Sequence, residues 1–277
     1  MEDWRWLLAA ILYSVAALLL AGQLSRVGRE AVLWPARLAW WLTLTGWLLQ
    51  SSQVAQIVMT HGGQVAVNLV ASLELAALVM GLLVLIGWHP KHQHNRLVAM
   101  VLLGLIVAFL FTAYLIPGGE GVFRQLVDPW LKVHFVLSIL AYGLFTIAVV
   151  LALLDHAQQR ALRQKQAGRL TEALPSLEQL EEDLFTMVRL AFVALTLSIG
   201  TGAIFLHNHS GAYLVFNHKI VFSWVTWLVF AALLLGHRLR GWRGRQAVRL
   251  TLWGYAFLVL AYLGVKFVYE FILHRNS

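Results

Sequence analysis

Eight stretches of nearly unbroken apolar residues divide the chain: Trp4 to Leu24, Leu33 to Gln50, Val65 to Gly87, Leu97 to Ile116, Val133 to Leu154, Leu184 to Leu206, Ile220 to Leu235 and Ala247 to Ile272. A helix rising about 1.5 Å per residue needs about 20 residues to cross a hydrocarbon core of about 30 Å, and each run is near that length, the one from Leu33 marginally so. Inside lipid every backbone polar group must be satisfied within the chain, which favours helices. The pattern predicts an all-α, polytopic bundle of about eight transmembrane helices. It forms a single integral membrane domain over 1–277, with helices one to four in 1–116 and five to eight in 130–274. The longest polar interruption, His156 to Asp183, is the one sizeable extramembrane segment. There Ser176 followed by Gln179 has the spacing of a capping box and predicts a short amphipathic helix along the membrane interface. Gly236-His237-Arg238 and the basic stretch Arg240-Gly241-Trp242-Arg243-Gly244-Arg245 make a tight connector before the last run.

Composition agrees with the pattern. The 277 residues are 60% hydrophobic and 12% charged, where soluble domains carry about a quarter charged residues. Lys and Arg alternate between connections, fourteen on one side against five on the other. The basic side belongs inside, so both termini are expected outside. The net charge of +8 is mainly this topological signal and gives no reason to expect nucleic-acid binding. Glu2 and Asp3 stand where a signal peptide would be positive, so the first run is expected to stay as a helix. With no cysteine there is no thiolate metal site, disulfide or Cys-x-x-Cys-His haem attachment.

The polar residues inside or beside the runs are the candidates for chemistry. Glu74 is the one carboxylate of the third run, read either as a functional group or as a protonated partner of a neighbouring helix. His89, His92 and His94 cluster in one loop, read either as a metal site or as a solvated segment. His134, Ser138 and Tyr142 fall at i, i+4 and i+8 on one helical face, a stripe expected to point into the bundle. Gly200-Thr201-Gly202 is expected to admit another backbone closely. His207 and His209, two residues apart, point apart on a helix, so at most one is a ligand candidate. Lys266 and Glu270, at i and i+4, are expected to neutralise each other. The tryptophans near run ends read as an interfacial belt. His237 and His274 close the last two runs and should sit near opposite membrane faces.

These residues resemble a family. Leu174-Pro175-Ser176-Leu177-Glu178 before a helix carrying Gly200-Thr201-Gly202, the stripe His134, Ser138 and Tyr142, and the connector from His237 to Arg245 are similar to the transmembrane haem-handling proteins of cytochrome c assembly. The similarity is nearest to the shorter HemX-like and YpjD-like inner-membrane branch. It covers about Pro129 to His274, whereas the first four helices match only in being hydrophobic. The resemblance implies non-covalent haem b, with His134 and His274 as an outer pair of iron ligands and His237 as one inner ligand. His207, His209 and His218 are weaker candidates, and Arg240 or Arg243 would meet a propionate. It further implies a bacterial cytoplasmic (inner) membrane location, and partners among other cytochrome c assembly or haem-biosynthesis proteins besides haem and lipid. No catalytic residue is implied. The chain departs from the family between the sixth and seventh runs, where the family's tryptophan-rich loop is replaced by a stretch ending Phe216-Asn217-His218-Lys219 without a tryptophan. Other readings of the same histidines are a membrane regulator of haem synthesis, an electron-transferring cytochrome b, or a small-molecule transporter built on Glu74.

Overall fold

The structure, a computed structural model, describes residues 4–24, 33–60, 64–66, 69–87, 96–115, 123–125, 128–165, 174–211 and 218–261. Eight helices run through them: α1 (Trp4–Leu24), α2 (Leu33–Thr60), α3 (Leu69–Gly87), α4 (Arg96–Leu115), α5 (Pro129–Arg163), α6 (Leu177–Ser210), α7 (His218–Arg240) and α8 (Arg245–Val259). Six of them, all but α2 and α8, are long and apolar enough to cross a membrane. The protein is a multi-pass helical membrane protein.

Several boundaries differ from those the hydrophobic pattern predicts. Helix α2 continues ten residues past Gln50 to Thr60, because Gln and Ser residues break hydropathy without breaking a helix. Val65 does not open the third span. It pairs with Arg124 in a short antiparallel ribbon, β1 (Gln64–Ala66) with β2 (Phe123–Gln125), and α3 begins at Leu69. The amphipathic stretch after Ser176 is not a separate interfacial helix. It is the first part of α6, which runs unbroken for 34 residues. Ser176 does cap it, its Oγ accepting the N–H of Gln179 at 3.3 Å.

Helix α5 opens on an acidic cap: Asp128 Oδ1 accepts the N–H groups of Trp130 at 2.7 Å and Leu131 at 3.3 Å. Pro129, which has no N–H to satisfy, takes the first helical position. At 35 residues α5 is about 52 Å long, well beyond a hydrocarbon core, so it continues as helix into a stretch expected to be loop.

The chain divides into two units, Met1–Gln125 with Ala157–Gln179, and Leu126–His156 with Leu180–Ser277. In the first, Tyr13 is fully buried at the meeting of α1, α2 and α3. Its hydroxyl donates to Gln50 Oε1 at 3.1 Å, and Gln50 Nε2 donates to the Glu74 carbonyl at 3.0 Å. Gln50 thus meets the backbone of Glu74, not its carboxyl. Trp47 is half-buried and turned inward, its indole N–H donating to Leu78 O at 2.9 Å. Trp4, Trp34 and Trp41 are each at least 60% exposed and fit the belt reading.

In the second unit Phe145 of α5 stacks on Phe230 of α7 with ring centroids 4.0 Å apart. Gly254 of α8 faces the Phe230 ring, where a Cβ would lie 2.7 Å from it, so only glycine lets α8 pack there. The Tyr142 hydroxyl donates to Leu258 O at 2.8 Å, and Thr146 Oγ1 lies 2.8 Å from the Tyr255 hydroxyl. The polar stripe of α5 therefore faces α6 and α8. After Val259 the helix loosens into a π turn at Leu260 and Ala261. The rest of the last run, with Lys266, Glu270 and His274, lies outside the described residues, as do His89, His92 and His94.

Candidate functional site

His134 sits in the second turn of α5, against α6. Its Nδ1 is 2.7 Å from Ser198 O and 3.2 Å from Ser198 Oγ. A carbonyl oxygen only accepts, so Nδ1 carries the proton and the Nε2 lone pair remains for a ligand. Ser138, one turn along α5, donates to His134 O at 2.7 Å and lies 2.7 Å from Ser198 Oγ. With the Ser138 proton committed to the carbonyl, the Ser198 hydroxyl donates to Ser138. These bonds fix both the tautomer and the ring plane of His134.

The space for the ring comes from Gly202. A Cβ there would lie 2.9 Å from His134 Nδ1 and 3.0 Å from its Cε1, whereas at Gly200 a Cβ would meet nothing within 4 Å. The expectation that Gly200-Thr201-Gly202 admits another backbone is thereby corrected: only Gly202 is a close-approach glycine, and what approaches is an imidazole. Ser198 is the site residue that sequence reasoning missed, and Gly202, one turn along α6, was named there only for the approach of a backbone. The signal was their i, i+4 spacing on a helix otherwise apolar there.

His237 is held differently, in the last turn of α7. Gly241, at φ +64°, ends the helix with its N–H bonded to His237 O at 3.1 Å, and the Trp242 N–H reaches Gly236 O at 3.2 Å. A left-handed glycine closing on the last turn in this way turns the chain back on itself. It brings the Trp242 indole over Gly236, where a Cβ would come within 2.1 Å of the ring. The Trp242 carbonyl lies 3.0 Å from His237 Nδ1, so this histidine too has its proton on Nδ1. The ring stacks on Phe185 of α6 with centroids 3.6 Å apart. Glu181, one turn before Phe185, accepts the Gly244 N–H at 2.8 Å and satisfies the start of α8. Phe185, Glu181, Gly236 and Trp242 were not singled out in the sequence for this role, because their contacts depend on the turn geometry.

The two histidines contact α6 at Ser198 and at Phe185, thirteen residues and hence about 20 Å apart along its axis. They belong to two positions and cannot share one ion. His207 and His209 both lie on α6, which ends at Ser210, so they do point apart. His209 is exposed, with Nδ1 3.8 Å from Asp128 Oδ2 and 3.2 Å from Phe205 O. Arg240 and Arg243 are exposed on the connector. The His218 side chain and His274 lie outside the described residues. Among the described residues no three of His, Asp and Glu gather as a metal cage. The arrangement offers two imidazoles at separate positions, each with Nδ1 hydrogen-bonded to a backbone carbonyl.

Comparison with known proteins bears on that chemistry. The sequence profile described as cytochrome C assembly protein matches residues 66–273, reaching back through α3 and α4 beyond the Pro129 to His274 stretch where the resemblance was read. An uncharacterized 28.8 kDa protein of Azospirillum brasilense is 37% identical over 144 residues, covering 52% of this chain and 53% of the relative. The inner membrane protein YpjD of Escherichia coli K12 is 32% identical over 176 residues, covering 62% and 65%. The cytochrome c biogenesis protein CcsA of Prochlorococcus marinus MIT 9515 is 23% identical over 202 residues, covering 64% and 65%. The matched stretch spans about half to two thirds of the length of these relatives.

Proposed function

The chain belongs to the cytochrome c assembly protein family, and from that premise we propose that it binds haem b non-covalently within the membrane and handles it, by transport, presentation or sensing. The observation that carries the reading is the hydrogen bond from His134 Nδ1 to Ser198 O at 2.7 Å. A histidine that ligates a metal through one ring nitrogen characteristically donates its other N–H to a carbonyl or carboxylate, which fixes the ring and raises its basicity. Haem iron is a good acceptor for such a neutral imidazole, and a second histidine completes low-spin ligation. His134 with His274 is the outer pair in this proposal. His237, with the same tautomer and an aromatic ring stacked on it, is the ligand of an inner position, where Arg240 or Arg243 meets a propionate.

The residues' part is to orient. Ser138, Ser198 and Gly202 hold one imidazole, while Trp242, Phe185 and the turn at Gly241 hold the other. When bound, haem supplies the redox-active iron and the cargo. The alternation of fourteen and five basic residues supports both termini lying outside, and the name of the Escherichia coli relative supports the bacterial inner membrane. Other assembly or haem-biosynthesis proteins are the proposed partners.

The test is an absorption spectrum of the purified protein, oxidised and reduced. A Soret band with sharp reduced α and β bands is expected. A colourless protein that takes up no added haem overturns the proposal. Reduction by quinol in step with turnover would favour an electron-transferring cytochrome instead.

A further inference from the structure

We propose that Arg96 binds the phosphate of an anionic phospholipid at the basic side of the membrane. Arg96 is the first residue of α4 and only 6% exposed. Its Nε and Nη2 atoms are shielded from solvent and meet no hydrogen-bond acceptor among the described residues. A guanidinium stays charged, so an N–H that reaches a water still leaves the charge itself uncompensated in an apolar setting.

The neighbouring helices provide no counter-charge. Helix α4 packs on α1 and α3. Helix α1 contains no Asp or Glu, and none occurs between Glu74 and Glu120 in the whole chain. Glu74 itself is thirteen residues before the α3 terminus at Gly87, which is the end adjoining Arg96, and so lies about 20 Å away along the helix. Among the described residues no carboxylate is paired with the guanidinium, and the compensating anion is expected from outside the chain.

The position selects its source. In the proposed topology Arg96 stands where α4 enters the membrane on the side that carries most of the Lys and Arg residues, close to the headgroups. Once the side chain turns Nε and Nη2 out of their shielded position, its planar fork matches a phosphate diester bidentately. Further along α4, Gly104 and Ala108 are exposed and small, so an acyl chain can lie against the helix there. A phospholipid combines both features.

The experiment uses the full chain, purified in mild detergent and stripped of lipid. Phosphatidylglycerol should raise its unfolding temperature, and phosphatidylcholine should not. Phospholipid phosphorus retained before stripping should be about one mole per mole lower in Arg96→Gln than in wild type. The apparent affinity for phosphatidylglycerol should fall about tenfold to a hundredfold, as for loss of a charged hydrogen-bonded contact. Arg96→Lys should keep part of the response. Arg37→Gln, which removes an exposed arginine, should keep all of it. Equal responses of the stripped wild type to both lipids overturn the proposal, as does equal lipid retention in wild type and Arg96→Gln. Stabilisation by inorganic phosphate alone would identify a soluble anion as the occupant and also overturn it. None of these readouts depends on whether haem binds at His134.

Discussion

Replacing Gly202 by alanine tests how His134 is held. The new Cβ would stand 2.9 Å from Nδ1 and 3.0 Å from Cε1, where ordinary contacts begin near 3.4 Å. The imidazole must retreat by about 0.5 to 1 Å, which takes its 2.7 Å bond to Ser198 O to the edge of hydrogen bonding or beyond. Losing that bond costs about 1 kcal/mol, the low end of the range, because the Ser198 carbonyl still shares the Thr201 hydroxyl at 3.1 Å with Leu197 O at 2.9 Å. Strain from overpacking adds about 1 to 3 kcal/mol, and the higher helix propensity of alanine returns about 1 kcal/mol. The net loss of folding stability is therefore modest, about 1 to 3 kcal/mol. The effect on ligation is larger, since loss of a partner that orients a metal-bound histidine typically costs about tenfold to a hundredfold in affinity. The assay is a haem titration followed by absorbance, with thermal unfolding alongside, on Gly202→Ala and on Gly200→Ala as control. Gly200 faces open space, so its variant should be neutral or slightly more stable and bind haem as wild type does. Identical titrations and unfolding curves for the two variants would refute this account of the ring's placement.

Four further outcomes are expected. Reporters fused after Ser277 should read outside and those within residues 160–180 inside; an inside C-terminus would remove His274 from the outer pair. His134→Ala and His274→Ala should each convert a six-coordinate low-spin spectrum to a five-coordinate or haem-free one, with the double variant adding little because both act on one iron; wild-type spectra in both would redirect attention to His207, His209 and His218. Gly236→Ala should lower stability by about 1 to 3 kcal/mol by thermal unfolding, since its Cβ would come within 2.1 Å of the Trp242 ring. Arg240→Lys with Arg243→Lys preserves the topological charge and removes the bidentate fork, so membrane insertion should be unchanged while haem recovery falls; full recovery there and in His237→Ala would leave the connector as an anchor alone.

The membrane character of this chain, the eight helices among the described residues and the face that His134 shares with Ser138 and Tyr142 were all legible in the sequence. Each depends on hydropathy or on the 3.6-residue period, which are local properties. Hydropathy misjudged helix ends for the same local reason. The stretch from Gln50 to Thr60 and the end of α5 around Asp155 and Gln158 carry polar side chains, yet their backbones hydrogen-bond along a helix as well as those of apolar residues do. The capping pattern at Ser176 was read correctly as a helix start, but not that the helix would run on to Ser210.

What chain order does not contain is which atoms meet across helices. That His134 donates to Ser198 O, sixty-four positions away, and takes its room from Gly202 follows only from the packing of α5 on α6. The same holds at His237. Its histidine and the glycine at 241 announce a helix end, but the carbonyl that sets its tautomer and the Phe185 ring beneath it are supplied by a turn and a neighbouring helix. A sequence names the groups able to ligate, because ligation is a property of the side chain. Which ring nitrogen is left to do so is a property of the hydrogen bond on the other one, and only the tertiary structure decides that.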